Sequence, residues 1–103
     1  MITEHALLDV LPGSAEEFEW AFGEARELIS ASPGFRGLEL LRCLETPSRY
    51  LLLVRWDSVE SHTVGFRQGP DYAKWSALLH RFYSPFPVVE HYESALSTSS
   101  SVV

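Results

Sequence analysis

The run Tyr50–Trp56, YLLLVRW, is the most apolar stretch of this 103-residue chain, and it limits the fold more than any other segment. It follows the turn signal Thr46-Pro47-Ser48, and its short length suits a strand better than a helix. Because its apolar residues do not alternate with polar ones, we expect both faces of this strand to be buried. The chain must therefore fold around a sheet that is covered on both sides.

Turn and cap signals divide the rest of the chain into further strands and helices. Strands are predicted at 2–11, 35–45 and 88–96, and helices at 14–31, 57–69 and 70–82. The order β-α-β-β-α-α-β is typical of an α+β, ferredoxin-like domain, an antiparallel sheet with helices on one face. We expect residues 1–96 to form a single domain and the low-complexity residues 97–103 to form a flexible C-terminal tail.

The apolar central strand also predicts a partner subunit. If helices cover only one face of the sheet, the other face of residues 50–56 needs cover that one chain does not supply. We therefore expect a homodimer in which sheet packs against sheet.

Charge and composition exclude several classes of partner. The net charge is −6 and the Lys and Arg residues are scattered, whereas nucleic acid requires a concentrated basic face. No apolar run approaches the roughly 20 residues that cross a bilayer, so we expect no membrane span. The single cysteine, Cys43, and an N-terminus unlike a signal peptide favour a cytoplasmic location.

The segment PGFRGLE at 33–39 is followed by a strand that ends in Trp56 and by a helix with an acidic capping box from Asp57 to Glu60. In these features the chain resembles the antibiotic biosynthesis monooxygenase family over about residues 1 to 94. The resemblance implies a dimeric α+β barrel with a pocket between sheet and helices. Many members oxidise phenols, anthrones or quinols to quinones with neither metal nor flavin. It therefore implies no cofactor and no metal, with an aromatic small molecule and O₂ as substrates.

A haem-degrading branch of that family uses an Asn, a Trp and a His. This sequence contains no asparagine, and Glu4 or His5 stands where that branch has its Asn. Phe66 stands where the Trp would lie, and Ser76 where the His would lie. We therefore predict that the chain does not degrade haem.

A cofactor-free oxygenase needs a base that turns its substrate into an electron-rich anion. Four histidines are available, and histidine titrates near neutral pH. We predict His62 or His80 as the base, because both lie on helices expected to cover the pocket. His5 and His91 are interpreted as surface residues, since no tight metal-ligand spacing accompanies them.

Other side chains fit the same chemistry. Arg55, at the end of the apolar strand, is predicted to stabilise an oxyanion, although it is equally suited to pair with a neighbouring carboxylate. Phe66, Tyr72 and Trp75 are predicted to stack on a flat substrate, with Tyr83 as a hydrogen-bond donor. Aromatic residues at helical spacing also fill ordinary cores.

The sequence thus favours a cofactor-independent monooxygenase that forms a quinone from a flat phenolic, quinol or anthrone-like molecule. Two other functions stay open. One is a non-catalytic dimer that binds a small molecule. The other is an isomerase or cyclase, which would use a histidine base without consuming oxygen.

Overall fold

Strands and helices follow one another along residues 1–99, the part of the chain that the computed structural model describes. In chain order they are β1 (Ile2–Asp9), α1 (Ala15–Ser30), β2 (Phe35–Arg42), β3 (Arg49–Trp56), a π-helix (Ser61–Phe66), α2 (Tyr72–Leu79), a 3₁₀ turn (His80–Phe82) and β4 (Val89–Tyr92). None of the helices in this part of the chain has both the length and the apolar character needed to cross a membrane.

The four strands form one antiparallel sheet in the order β2-β3-β1-β4. The predicted α+β class and its ferredoxin-like arrangement are confirmed. β1 and β3 pair along their whole length, from Ile2 opposite Trp56 to Asp9 opposite Arg49. This register sorts the side chains of the two strands into two opposite faces.

The inner face of the sheet, which the helices cover, carries the core. β1 contributes Glu4, Ala6 and Leu8 to it, and the even-numbered residues of β3 from Tyr50 to Trp56 complete it. Helix α1 packs its apolar stripe on this face, because residues three and four apart lie on one side of a helix. The buried residues of that stripe are those predicted from the spacing, with Leu28 half-buried: Phe18, Ala21, Phe22, Ala25 and Ile29.

The outer face of the sheet carries the odd-numbered residues of the same two strands. Here Leu51 and Leu53 of β3 are only half-buried. The outer face of β3 has no cover within residues 1–99, as expected for one chain with helices on only one face of the sheet, and its burial by a second copy stays a prediction.

Two local predictions also differ from the structure. Asp57 makes no capping box with Glu60, since its carboxylate accepts a hydrogen bond from Arg36 Nε at 2.5 Å. The last strand ends at Tyr92 instead of continuing to residue 96. Of the predicted tail, residues 97–99 belong to no helix or strand. Residues 100–103 lie outside the described part of the chain.

Candidate functional site

A small cavity lies between the inner face of the sheet and the segment that runs from the π-helix to β4. Its volume is about 40 Å³. Aromatic and imidazole side chains make up much of its wall, together with the carboxyl of Glu4 and the guanidinium of Arg67. It therefore combines an apolar lining with a few polar groups, as small-molecule sites do.

The π-helix places two of these polar groups. The backbone N–H of Arg67 donates to the carbonyl oxygen of His62 at 3.0 Å, five residues earlier. Because a π-helix turns less per residue than an α-helix, residues five apart return to one side. His62 and Arg67 consequently both line the cavity.

Glu4 is a carboxyl group enclosed by the core and 5% exposed. Its Oε1 accepts a hydrogen bond from Trp56 Nε1 at 2.9 Å and lies 3.4 Å from His62 Nε2. Burial raises the pKa of Glu4, while the Trp56 hydrogen bond and the attraction of Arg67 act in the opposite direction. The net effect makes Glu4 more basic than an ordinary carboxylate.

His62 is buried beside Glu4 and is 3% exposed. Its ring stacks on Trp56 with 5.6 Å between centroids and 22° between planes. Burial lowers the pKa of His62 to about 4, helped by the positive charge of Arg67 and by His91. The imidazole is therefore neutral at neutral pH and is a weaker base than an ordinary histidine.

His91 is half-buried and hydrogen-bonded, contrary to its interpretation as a surface residue. It lies on the inner face because β4 pairs with β1 so that His91 is opposite Glu4. Its Nε2 lies 2.9 Å from His62 Nδ1. Burial, and then Arg67, lower the pKa of His91.

His80 occupies another part of the cavity wall. Its Nδ1 is 2.7 Å from Ser76 Oγ, one helical turn earlier. Its ring makes edge-on contacts with Tyr72 and Phe86, at centroid distances of 6.0 and 4.9 Å. Burial, and then Arg67, lower the pKa of His80.

The structure brings six of the predicted site residues together around the cavity: His62, His80, Phe66, Tyr72, Trp75 and Tyr83. Arg55 does not join them. It lies opposite Thr3 on the outer face of the sheet, with its guanidinium over Gly37. The roles assigned to all these residues stay predictions.

Sequence reasoning missed three polar groups of this site. Glu4 carries a readable signal, because it is a lone carboxyl at alternate spacing with the apolar Ala6 and Leu8. His91 depends on the register between β1 and β4, and Arg67 on the π-helix; neither follows from spacing alone. Among residues 1–99, no three His, Cys, Asp or Glu side chains are arranged to hold a metal ion.

Comparison with known proteins gives a consistent family. The family model for antibiotic biosynthesis monooxygenase matches residues 1–78. The uncharacterised protein YczJ of Bacillus subtilis (strain 168) is 47% identical over 93 residues, which span 90% of this chain and 98% of that protein.

Solved structures agree. A candidate antibiotic biosynthesis monooxygenase of Bordetella bronchiseptica superposes with a TM-score of 0.88 at 37% identity, over 92% of this chain and 97% of that one. SnoaB, a cofactor-independent oxygenase of Streptomyces nogalater, has a TM-score of 0.80 at 19% identity, over 96% and 97% of the two chains. The SnoaB likeness shows a shared fold.

A more partial match is to a haem oxygenase (mycobilin-producing) of Mycobacterium tuberculosis (strain H37Rv). It is 33% identical over 54 residues, which make up 52% of this chain and 51% of that protein. This similarity covers only half of either chain.

Proposed function

Because the chain belongs to the antibiotic biosynthesis monooxygenase family, we propose that it is a cofactor-independent monooxygenase that forms a quinone from a flat phenolic, quinol or anthrone-like molecule. The similarity to SnoaB, a cofactor-independent oxygenase, supports this type of chemistry. The observation that carries the proposal is the buried Glu4–His62 pair in the wall of an aromatic cavity.

The first step is removal of a proton from the substrate. Ground-state O₂ reacts slowly with closed-shell molecules, and a phenolate or carbanion is a much better one-electron donor than its conjugate acid. Glu4 of the Glu4–His62 pair is the proton acceptor, since burial has raised the pKa of its carboxyl, and the imidazole beside it stays neutral. With an anthrone, one atom of O₂ becomes the new carbonyl oxygen and the other leaves as water with two hydrogens of the substrate carbon.

The developing anion needs stabilisation inside the cavity. Arg67 is the cation that lines it, and we assign to Arg67 the role that the sequence suggested for Arg55. Burial raises the pKa of Tyr83, as do the nearby Tyr72 and Glu4. Tyr83 therefore stays a neutral phenol and is suited to donate a hydrogen bond to a substrate oxygen.

Substrate entry requires part of the wall to move. A cavity of 40 Å³ has room for about one water molecule, whereas small-molecule sites measure about 300 Å³ or more. The connection between the 3₁₀ turn and β4 contains most of the wall that no helix or strand holds. Phe86 in this connection is 58% exposed and rests on His80.

Oxygen uptake tests the proposal. Metal-stripped protein with a chelator is given quinols and anthrones of one, two and three rings, because the required movement sets an upper size. We expect enzyme-dependent uptake and quinone formation, reduced about 10²- to 10⁴-fold in Glu4→Gln and in His62→Phe. His80→Phe separates the two predicted bases, and His5→Gln, on the outer face of the same strand as Glu4, is the matched control.

Other outcomes of these assays would contradict the proposed oxygenase or the assigned base. No uptake over the whole panel would overturn the oxygenase in favour of ligand binding or isomerisation. Full oxygen uptake in His62→Phe together with lost uptake in His80→Phe would assign the base to His80 instead of His62. Haemin is included as a substrate, and we expect its Soret absorbance to persist.

We also propose that the outer face of the sheet pairs with a second copy of the chain. Leu7 and Leu41 flank Leu51 on neighbouring strands, and the two are 46% and 42% exposed. A hollow of about 250 Å³ lies over these three leucines. On the same face, the Nδ1 atom of His5 is buried without a hydrogen-bond partner. An exposed apolar row on one face of a sheet is typical of a subunit contact.

A further inference from the structure

The polar groups of the inner face form a continuous row from the cavity to the edge of the sheet. Trp56 Nε1 donates a hydrogen bond to Glu4 Oε1 at 2.9 Å, and His62 Nε2 lies 3.4 Å from the same oxygen. On the other side of the imidazole ring, His62 Nδ1 lies 2.9 Å from His91 Nε2. Because β4 is an edge strand, the row ends at the half-buried His91.

We propose that this row is a proton relay in which His91 delivers to solvent the proton that Glu4 takes from the substrate. The inference rests on the proposed function of the cavity. The proton passes from the Glu4 carboxyl to His62 Nε2 while His62 Nδ1 gives its proton to His91 Nε2. His91 then releases its Nδ1 proton to water. No electrons move and no other reactant is needed, and Glu4 is again a carboxylate. Both imidazoles then carry their proton on Nε2, so each must exchange back to its Nδ1–H tautomer before the next turnover.

A neutral His62 is able to pass a proton along the row in either direction. A neutral imidazole carries its proton on either nitrogen, and the two tautomers fit the same heavy-atom positions. With the proton on Nδ1, His62 donates to His91 and presents the lone pair of Nε2 towards Glu4, 3.4 Å away. With the proton on Nε2, it presents that proton towards Glu4 and accepts from His91. A relay uses both tautomers, whereas a purely structural link needs only one.

Burial, and then the positive charge of Arg67, lower the pKa of His91 and favour its neutral form at rest. Glu4 faces it across the strands and His62 faces it from the π-helix, while Arg67 acts on all three groups. Glu90 and Tyr92 flank His91 along β4 but point to the outer face by strand alternation. A neutral His91 is ready to accept a proton when one arrives from the cavity.

Two substitutions at His91 separate a relay from a structural bond. His91→Gln keeps a side chain that hydrogen-bonds to His62 Nδ1 but does not take up a proton at neutral pH, and His91→Phe removes both properties. We expect oxygen uptake at low buffer concentration to fall about 10²-fold in both variants, the lower end for a positioned proton transfer. Added imidazole should restore much of the rate. A wild-type rate in His91→Gln would overturn the relay and leave a structural hydrogen bond.

A measurement without substrate keeps this test apart from that of the oxygenase. Nitrogen-15 NMR of the labelled imidazoles reports the tautomer of each histidine, and a coupling between His62 Nδ1 and His91 Nε2 reports their hydrogen bond. We expect that coupling in the wild-type protein, with His62 exchanging between its two tautomers from pH 5 to 8. One fixed tautomer over that range would overturn the relay whatever the oxygen assay shows. Exchange without any oxygen uptake would keep the proton path between Glu4 and His91 and reject the proposed function that supplies its proton.

Discussion

The two faces of strand β1 differ in what encloses them, and the neighbours Glu4 and His5 show the consequence. Glu4 lies under the helices, where burial raises its pKa and leaves it hydrogen-bonded to Trp56. His5 lies on the outer face with one buried nitrogen that has no partner. The enclosed face can tune proton affinities, because its cover belongs to the same chain. The open face offers apolar side chains that a second molecule is needed to cover.

The largest difference between the faces should appear in two adjacent leucines. Leu8 on the inner face is 3% exposed, and Leu7 on the outer face is 46% exposed. We expect Leu8→Ala to lower the free energy of unfolding by about 2–5 kcal/mol, because it leaves a cavity in a packed core. Leu7→Ala should change that of a single chain by less than about 1 kcal/mol. Urea denaturation of both variants at equal, low protein concentration checks this, and equal losses would show that the outer face is as enclosed as the inner one.

A smaller effect should appear in the pH dependence of the free energy of unfolding, because the inner face encloses the titratable His62. His62 has a pKa of about 4 in the folded chain and an ordinary value of 6.5 when unfolded. Below pH 6.5 the unfolded chain takes up a proton that the folded chain refuses until about pH 4, so stability from His62 is full above pH 6.5 and falls with pH. Between pH 7 and pH 5 we expect His62 to account for a loss of about 2 kcal/mol.

The titration of Glu4 must be removed from that experiment. Its raised pKa makes its contribution opposite in sign, present at low pH and lost as pH rises. The comparison is therefore between Glu4→Gln and the double variant Glu4→Gln/His62→Phe, each unfolded in urea at pH 7 and pH 5. The same pH dependence in both proteins would mean that His62 is not held as a buried neutral imidazole.

Periodicity and turn residues predicted most of the fold, because they are local. The stripe from Phe18 to Ile29 and the strand before Trp56 follow from helical spacing and from an apolar run after a turn. The apolar run leaves one point open, since the odd-numbered leucines of β3 are half-buried in one chain and their cover by a second copy stays a prediction. An apolar side chain favours burial, but its type does not indicate whether the same chain or a second molecule covers it.

The candidate site was only partly predictable, because its polar groups meet through long-range geometry. His62 was accessible from its place at a strand-to-helix junction. The contact of His62 with His91 spans 29 residues and needs the pairing of β4 with β1. Arg67 needs one i→i+5 hydrogen bond, which replaces the α-helical pattern that the capping residues suggested.

The smallest expected change in the chain itself comes from the open face, and it is the one that decides how the protein assembles. Leu51 lies between Leu7 and Leu41 in the middle of that face. In a two-fold contact, Leu51→Asp would place a carboxylate from each copy in the same apolar interface, where burying like charges is costly. We expect the wild type to sediment as a dimer at micromolar concentration and Leu51→Asp to sediment as a monomer with an unchanged far-ultraviolet circular dichroism spectrum.

Trp20→Asp is the matched control, because Trp20 is 77% exposed on α1, away from the sheet, and should leave the dimer intact. A monomeric wild type would remove self-association as the reason for the leucine row, whereas dissociation by Trp20→Asp alone would move the contact from the sheet to the helices.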